Sequence, residues 1–142
     1  MIVDTANFGE LNVKEEMTIT FPDGILGFEE LRQFAMLETD TNTLLWLQSL
    51  ENANIAFPII CPFLLQDDYS FELDDVVLTK MDITSEDDVM VYSIVTIPEK
   101  IEDMTANLLA PLVVNNKNRL GQQIVLRDER YPLKHKILRE GL

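Results

Sequence analysis

The chain has little of what most enzymes use. Its 142 residues contain one cysteine and one histidine. A lone Cys61 cannot close an internal disulfide, which agrees with a reducing compartment. Its setting, Pro58-Ile59-Ile60-Cys61-Pro62-Phe63, reads as that of a buried small hydrophobe. The lone His135 lies between Lys134 and Lys136 in a basic tail, where solvation is expected. No His/Cys cluster is available for zinc, and there is no phosphate loop or nucleophile elbow. Asp23-Gly24-Ile25-Leu26-Gly27-Phe28 has two glycines, but neither a third nor a basic residue to hold a phosphate, so it reads as turns. No apolar run approaches the roughly 20 residues of a membrane-spanning helix. The N-terminus, Met1-Ile2-Val3-Asp4, lacks the basic lead and apolar block of a secretory signal, so a cytoplasmic location is expected.

Basic residues are also scarce, with 11 Lys and Arg against 25 Asp and Glu and a net charge of −14. The imbalance is uneven: residues 1–110 carry 22 acids and 4 bases, whereas 111–142 carry 7 bases and 3 acids. So acidic a body repels phosphate backbones and argues against direct nucleic-acid binding. It reads either as an ordinary soluble surface or as the complement of a basic protein. The acids crowd at 67–75 and 84–88. Neither cluster has the alternating oxygen ligands, central glycine and terminal glutamate of a calcium loop. A glycosidase-like reading needs one defined pair of carboxylates, and with so many acids any chosen pair is arbitrary.

What is present is a β pattern. The 46% hydrophobic content and the length suit one compact domain over 1–142, with 127–142 as a basic, extended or loosely docked tail. Strands are expected at Ile2-Val3, Leu11–Val13, Met17–Phe21, Ala35–Glu38, Leu44–Leu50, Ala56–Cys61, 70–74 and, most clearly, Val89–Ile97. A turn is expected at Asp40–Asn42. Phe28, Leu31 and Phe34 have helical spacing and predict a short helix. Asp74-Asp75 predict the cap of another, and Thr84–Asp88 a further single turn. Prolines 58 and 62 place their strand on an edge or at a bulge. Trp46 is expected in the core. Leu109–Val114, the turn Asn115–Gly121 and Gln122–Leu126 read as a hairpin. The sum is an all-β barrel or sandwich, mostly antiparallel, with one or two short helices.

The run Met104-Thr105-Ala106-Asn107-Leu108-Leu109-Ala110-Pro111, followed by Val113-Val114-Asn115, resembles the signature of the flagellar assembly factor FliW family. Other stretches match in order: Phe21–Glu29, Trp46–Ser49, Cys61–Phe63, Asp68-Tyr69, Phe71–Leu73, Gly121–Gln123 and Tyr131–Leu133. Cys61 departs from the pattern, standing where asparagine is expected before Pro-Phe. The resemblance implies a non-enzymatic, cofactor-free protein with two partners. One is flagellin before export; the other is CsrA, a basic RNA-binding repressor of flagellin synthesis. Binding to CsrA would relieve repression, non-competetively with RNA. Glu72, Asp74 and Asp75 are the expected acidic contacts. Met104, Thr105, Ala106, Asn107 and Leu108 form the expected partner-binding run, with Met104 and Leu108 or Leu109 as apolar anchors. A monomer is expected. The alternative is an export chaperone of a flagellar subunit without a translational role.

Overall fold

A computed structural model describes residues 1–38 and 44–137. The expected turn at Asp40–Asn42 lies outside them. Seven strands close into a barrel: β3 (Thr18–Thr20), β4 (Gln33–Glu38), β5 (Leu45–Ser49), β6 (Ala56–Ile60), β7 (Val89–Thr96), β9 (Leu112–Asn115) and β10 (Leu120–Gln123). Around the ring the order is β3-β4-β5-β6-β7-β9-β10, closed by β10 against β3. Every pairing is antiparallel except that closing one, which is parallel. Closure leaves the ring without a long open edge. A hairpin of β1 (Ile2–Thr5) and β2 (Gly9–Asn12) stands apart as its own sheet. Two short strands, β8 (Thr105–Ala106) and β11 (His135–Lys136), extend outward from β7.

Period-two burial builds the barrel interior. Ile19, Phe34, Leu47, Ile59, Tyr92, Leu112 and Val114 form one cluster, joined by Phe21, Ile25 and Leu31. β10 contributes a glycine where the space is taken. A Cβ on Gly121 would lie 2.5 Å from the Phe21 ring. On the outside, the β1–β2 hairpin covers Ala35 and Leu37, and Phe8 meets Trp46 edge-on at 5.5 Å. Trp46 is therefore half-buried beneath this hairpin.

Several expectations need correction. Residues 28–32 form turns leading into β4, which already includes Phe34, because the Phe21 N–H donates to the Arg32 carbonyl and aligns the flanking chains. The 70–74 segment keeps its alternating burial but joins no ladder. β6 is interior, yet β7 pairs with it only at Ile59 and Ile60. Pro58 thus sits where β6 has one paired neighbour, which resolves the proline problem. The described part of the tail is docked: Tyr131 is 1% exposed and β11 pairs with β8. That docking leaves His135 half-buried, and Cys61 is half-exposed. The hairpin is found, with its second strand at Leu120–Gln123, starting two residues earlier than expected, within the expected turn. The helix α1 (Asp75–Lys80) and its Asp74 cap stand as expected, as does a 3-10 turn at Glu86–Asp88 capped by Ser85.

Candidate functional site

The run 104–110 includes β8, paired edge to edge with the end of β7 at Val95 and Thr96, and its side chains alternate. Met104, Ala106 and Leu108 are 2%, 0% and 0% exposed, while Thr105, Asn107 and Leu109 are half-exposed. Met104 and Ala106 pack with Ile60, Val95 and Ile137; Leu108 packs with Tyr69 and Tyr131. In this structure Met104 and Leu108 are thus core residues of an outer layer, not anchors presented to a partner. The cause is the docked tail, whose Ile137 N–H donates to the Met104 carbonyl and whose Pro132 carbonyl accepts from Leu108. Asn107 is also partly committed. Its Oδ1 accepts from the Leu109 and Ala110 N–H groups at 3.0 and 2.9 Å, an Asx turn that bends the chain into Pro111. Thr105 and Asn107 keep an outward-facing position.

Of the acidic candidates, Glu72 alone lines a groove of about 710 Å³. Its floor is apolar, built from Phe63, Phe71, Leu73, Leu78, Ile83 and Val91, and its rim carries Glu72 and Glu86. Glu72 is exposed at this rim. Asp74 is exposed too, but its Oδ1 accepts from the Val77 N–H at 2.9 Å and so caps α1. Asp75 lies exposed in the first turn of α1, beside the groove and not in its lining. Lys80, at the other end of α1, pairs with Asp23 and ties the helix to the turn after β3.

Aromatic packing joins the groove to the 104–110 run. The Tyr69 hydroxyl donates to the Leu108 carbonyl at 2.7 Å, and the Ser70 N–H donates to the Tyr131 hydroxyl at 3.0 Å. The Tyr69 ring meets Tyr131 at 4.5 Å, Phe71 at 5.7 Å and Phe63 at 5.8 Å, all edge-on. Burial, and then the neighbouring Tyr131, push the Tyr69 phenol well above its ordinary value. It therefore stays a neutral donor. Sequence reasoning brought forward Glu72 but missed Phe63, Leu78, Ile83 and Val91. They come from separate elements, and only the matching Cys61-Pro62-Phe63 and Asp68-Tyr69 fragments marked this neighbourhood.

An open apolar floor with a carboxylate rim suits an apolar protein segment carrying cations. Among the described residues no three His, Cys, Asp or Glu side chains gather to hold a metal ion. No helix among them is long and apolar enough to cross a membrane.

Comparison with known proteins agrees with the signature run. The family described as "FliW protein" matches residues 2–137. The "Flagellar assembly factor FliW" of Alkaliphilus metalliredigens (strain QYMF) is 45% identical over 142 residues, covering 99% of this chain and 88% of that one. The protein of the same name from Bacillus subtilis (strain 168) is 42% identical over 138 residues, covering 96% of each. A solved structure, "Crystal structure of the flagellar assembly factor FliW", superposes with a TM-score of 0.90 at 36% identity, covering 100% of both chains.

Proposed function

This chain belongs to the FliW family, and from that membership we propose that it is a flagellar assembly factor that works by binding proteins, not by catalysis. Its partners are flagellin and the basic repressor CsrA, and its place of action is the cytoplasm. Binding to CsrA lifts repression of flagellin synthesis, and flagellin awaiting export competes for the factor. The observation that supports this reading is the groove, whose apolar floor and Glu72–Glu86 rim complement a basic partner. The acidic body adds long-range attraction and repels RNA from the complex. The relatives of Alkaliphilus metalliredigens and Bacillus subtilis are both named for flagellar assembly.

Titration of CsrA with the Glu72→Lys/Glu86→Lys variant tests the groove. Association at low ionic strength is expected to slow by about tenfold, and the wild-type rate to fall as salt shortens the screening length to about 10 Å at 0.1 M. Unchanged binding by the folded variant would remove the groove from the CsrA contact. Binding of flagellin with no affinity for CsrA would leave the export-chaperone reading in its place.

A further inference from the structure

The tail that docks on β8 gives this acidic protein a face of the opposite sign. β11 lies beside the 104–108 run, with Lys136 opposite Thr105. Further along, the Leu108 N–H donates to the Pro132 carbonyl and the Leu126 N–H to the Leu109 carbonyl at 2.7 Å. Leu133 and Val125 therefore flank the Asn107 turn, and both are open to solvent at 58% and 57%. Lys134 and Lys136 are exposed beside them, and neither makes an ion pair among the described residues. Arg127 is likewise exposed and unpaired among the described residues, while the nearby Arg130 is occupied by Asp128 at 2.7 Å.

We propose that this strip, formed by Thr105 and Asn107 with Val125, Leu133, Lys134 and Lys136, is a second docking surface, which takes an acidic protein segment bearing apolar side chains. The two exposed aliphatic side chains supply contact area, and the unpaired ammonium groups select carboxylates. A nucleic acid fits less well: the strip has no exposed aromatic ring for a base to stack on, and the −14 net charge opposes a phosphate backbone. The proposal goes beyond the groove reading and stands apart from it, because the groove attracts the opposite charge. A protein with two such faces can hold a basic and an acidic segment together.

The test uses the full chain and three short fluorescent peptides, read by anisotropy at low ionic strength. One is amphipathic with leucines and glutamates, one has the glutamates replaced by lysines, and one keeps the glutamates but replaces the leucines by serines. The first is expected to bind, and to bind at least about tenfold more weakly to Lys134→Glu/Lys136→Glu and several-fold more weakly to Leu133→Ser. Glu72→Lys should not weaken it, and the serine peptide should bind poorly. If the charge reversal unfolds the chain, Lys134→Met/Lys136→Met carries the same test. Equal binding of the acidic and basic peptides, or binding indifferent to the strip variants, overturns the proposal. So does displacement of the acidic peptide by single-stranded RNA. Self-association in sedimentation that these same variants abolish would assign the strip to a second copy of the chain instead.

Discussion

Truncating Met104 to alanine separates a core role from a contact role for the signature run. Met104 is 2% exposed and packs with Ile60, Val95, Ala106 and Ile137 in the layer outside β7. Its neighbours are held by backbone pairing, Val95 opposite Ala106 and Ile137 N–H on the Met104 carbonyl, so the site has little freedom to collapse. A buried Met→Ala change in such a setting costs about 2–5 kcal/mol, from lost transfer energy plus the residual cavity. Thr105, half-exposed and one residue on, should tolerate alanine within about 0.5 kcal/mol. Urea unfolding followed by the single tryptophan reads both. With a slope of about 2 kcal/mol per molar, Met104→Ala should lower the midpoint by about 1–2.5 M with the slope unchanged. Thr105→Ala should move it by no more than about 0.25 M. Coincident midpoints for the two variants would refute the burial argument and restore Met104 as a candidate surface anchor.

Three further outcomes follow from other parts of the fold. Tyr69→Phe removes the donor to the Leu108 carbonyl and should cost about 1–3 kcal/mol, measurable by the same unfolding; a neutral result would mean that water replaces the hydroxyl. Gly24 has φ +70°, and a Cβ there would lie 2.5 Å from the Glu29 backbone, whereas Gly9 at φ +68° has open space. Gly24→Ala should therefore destabilise clearly more than Gly9→Ala, whose cost is about 1 kcal/mol of backbone strain alone; equal losses by thermal unfolding would contradict the steric account. Glu51 accepts the Gln33 N–H at 2.7 Å and the Arg32 N–H at 2.6 Å, and these bonds, the Gln33 one foremost, hold its carboxyl below the usual range. A lowered folded-state value stabilises above the unfolded carboxylate value, and the benefit is lost as pH falls through the folded one. Glu51→Gln should flatten the fall in melting temperature across that acidic window, and parallel profiles would sink the assignment.

Where local pattern and long-range pairing agreed, the fold was legible. β7 is a β-branched run ended by Pro98, and it appears as Val89–Thr96. Asp74 caps α1 as its side chain and position require. The pattern failed at 28–34, where spacing of three serves a helix and also a turn entering a strand. The choice there is made by Phe21 N–H reaching Arg32, a contact invisible in the local window. The tail failed for a related reason: Tyr131 finds its place against Tyr69 and Leu108, and Ile137 against Met104 and Ala106, all distant in sequence. In the 104–108 run the alternation of Met104, Ala106 and Leu108 with Thr105 and Asn107 was already written at period two, and taking the run as one block hid its division. The groove was beyond local reading, because Phe63, Leu78, Ile83 and Val91 come from a turn, a helix, a loop and a strand that meet only when the connection from β6 to β7 folds back.

The barrel interior and the recognition surfaces are separate layers, and this decides how variants should be interpreted. Ile19, Phe34, Leu47 and Leu112 face only one another and their cluster, so changes there act through stability. The groove and the basic strip both rest on the outer layer, where Tyr69 packs against Phe71 on one side and bonds to Leu108 on the other. A large-to-small change in that layer removes packing and can displace a surface feature at once, so its effect on binding has no single cause. Charge changes at Glu72, Glu86, Lys134 and Lys136 escape this ambiguity, since exposed charges that support no buried group contribute little to folding. Partner assignment therefore rests on these exposed charges, of which Lys136 is held beside the signature run by the pairing of β11 with β8.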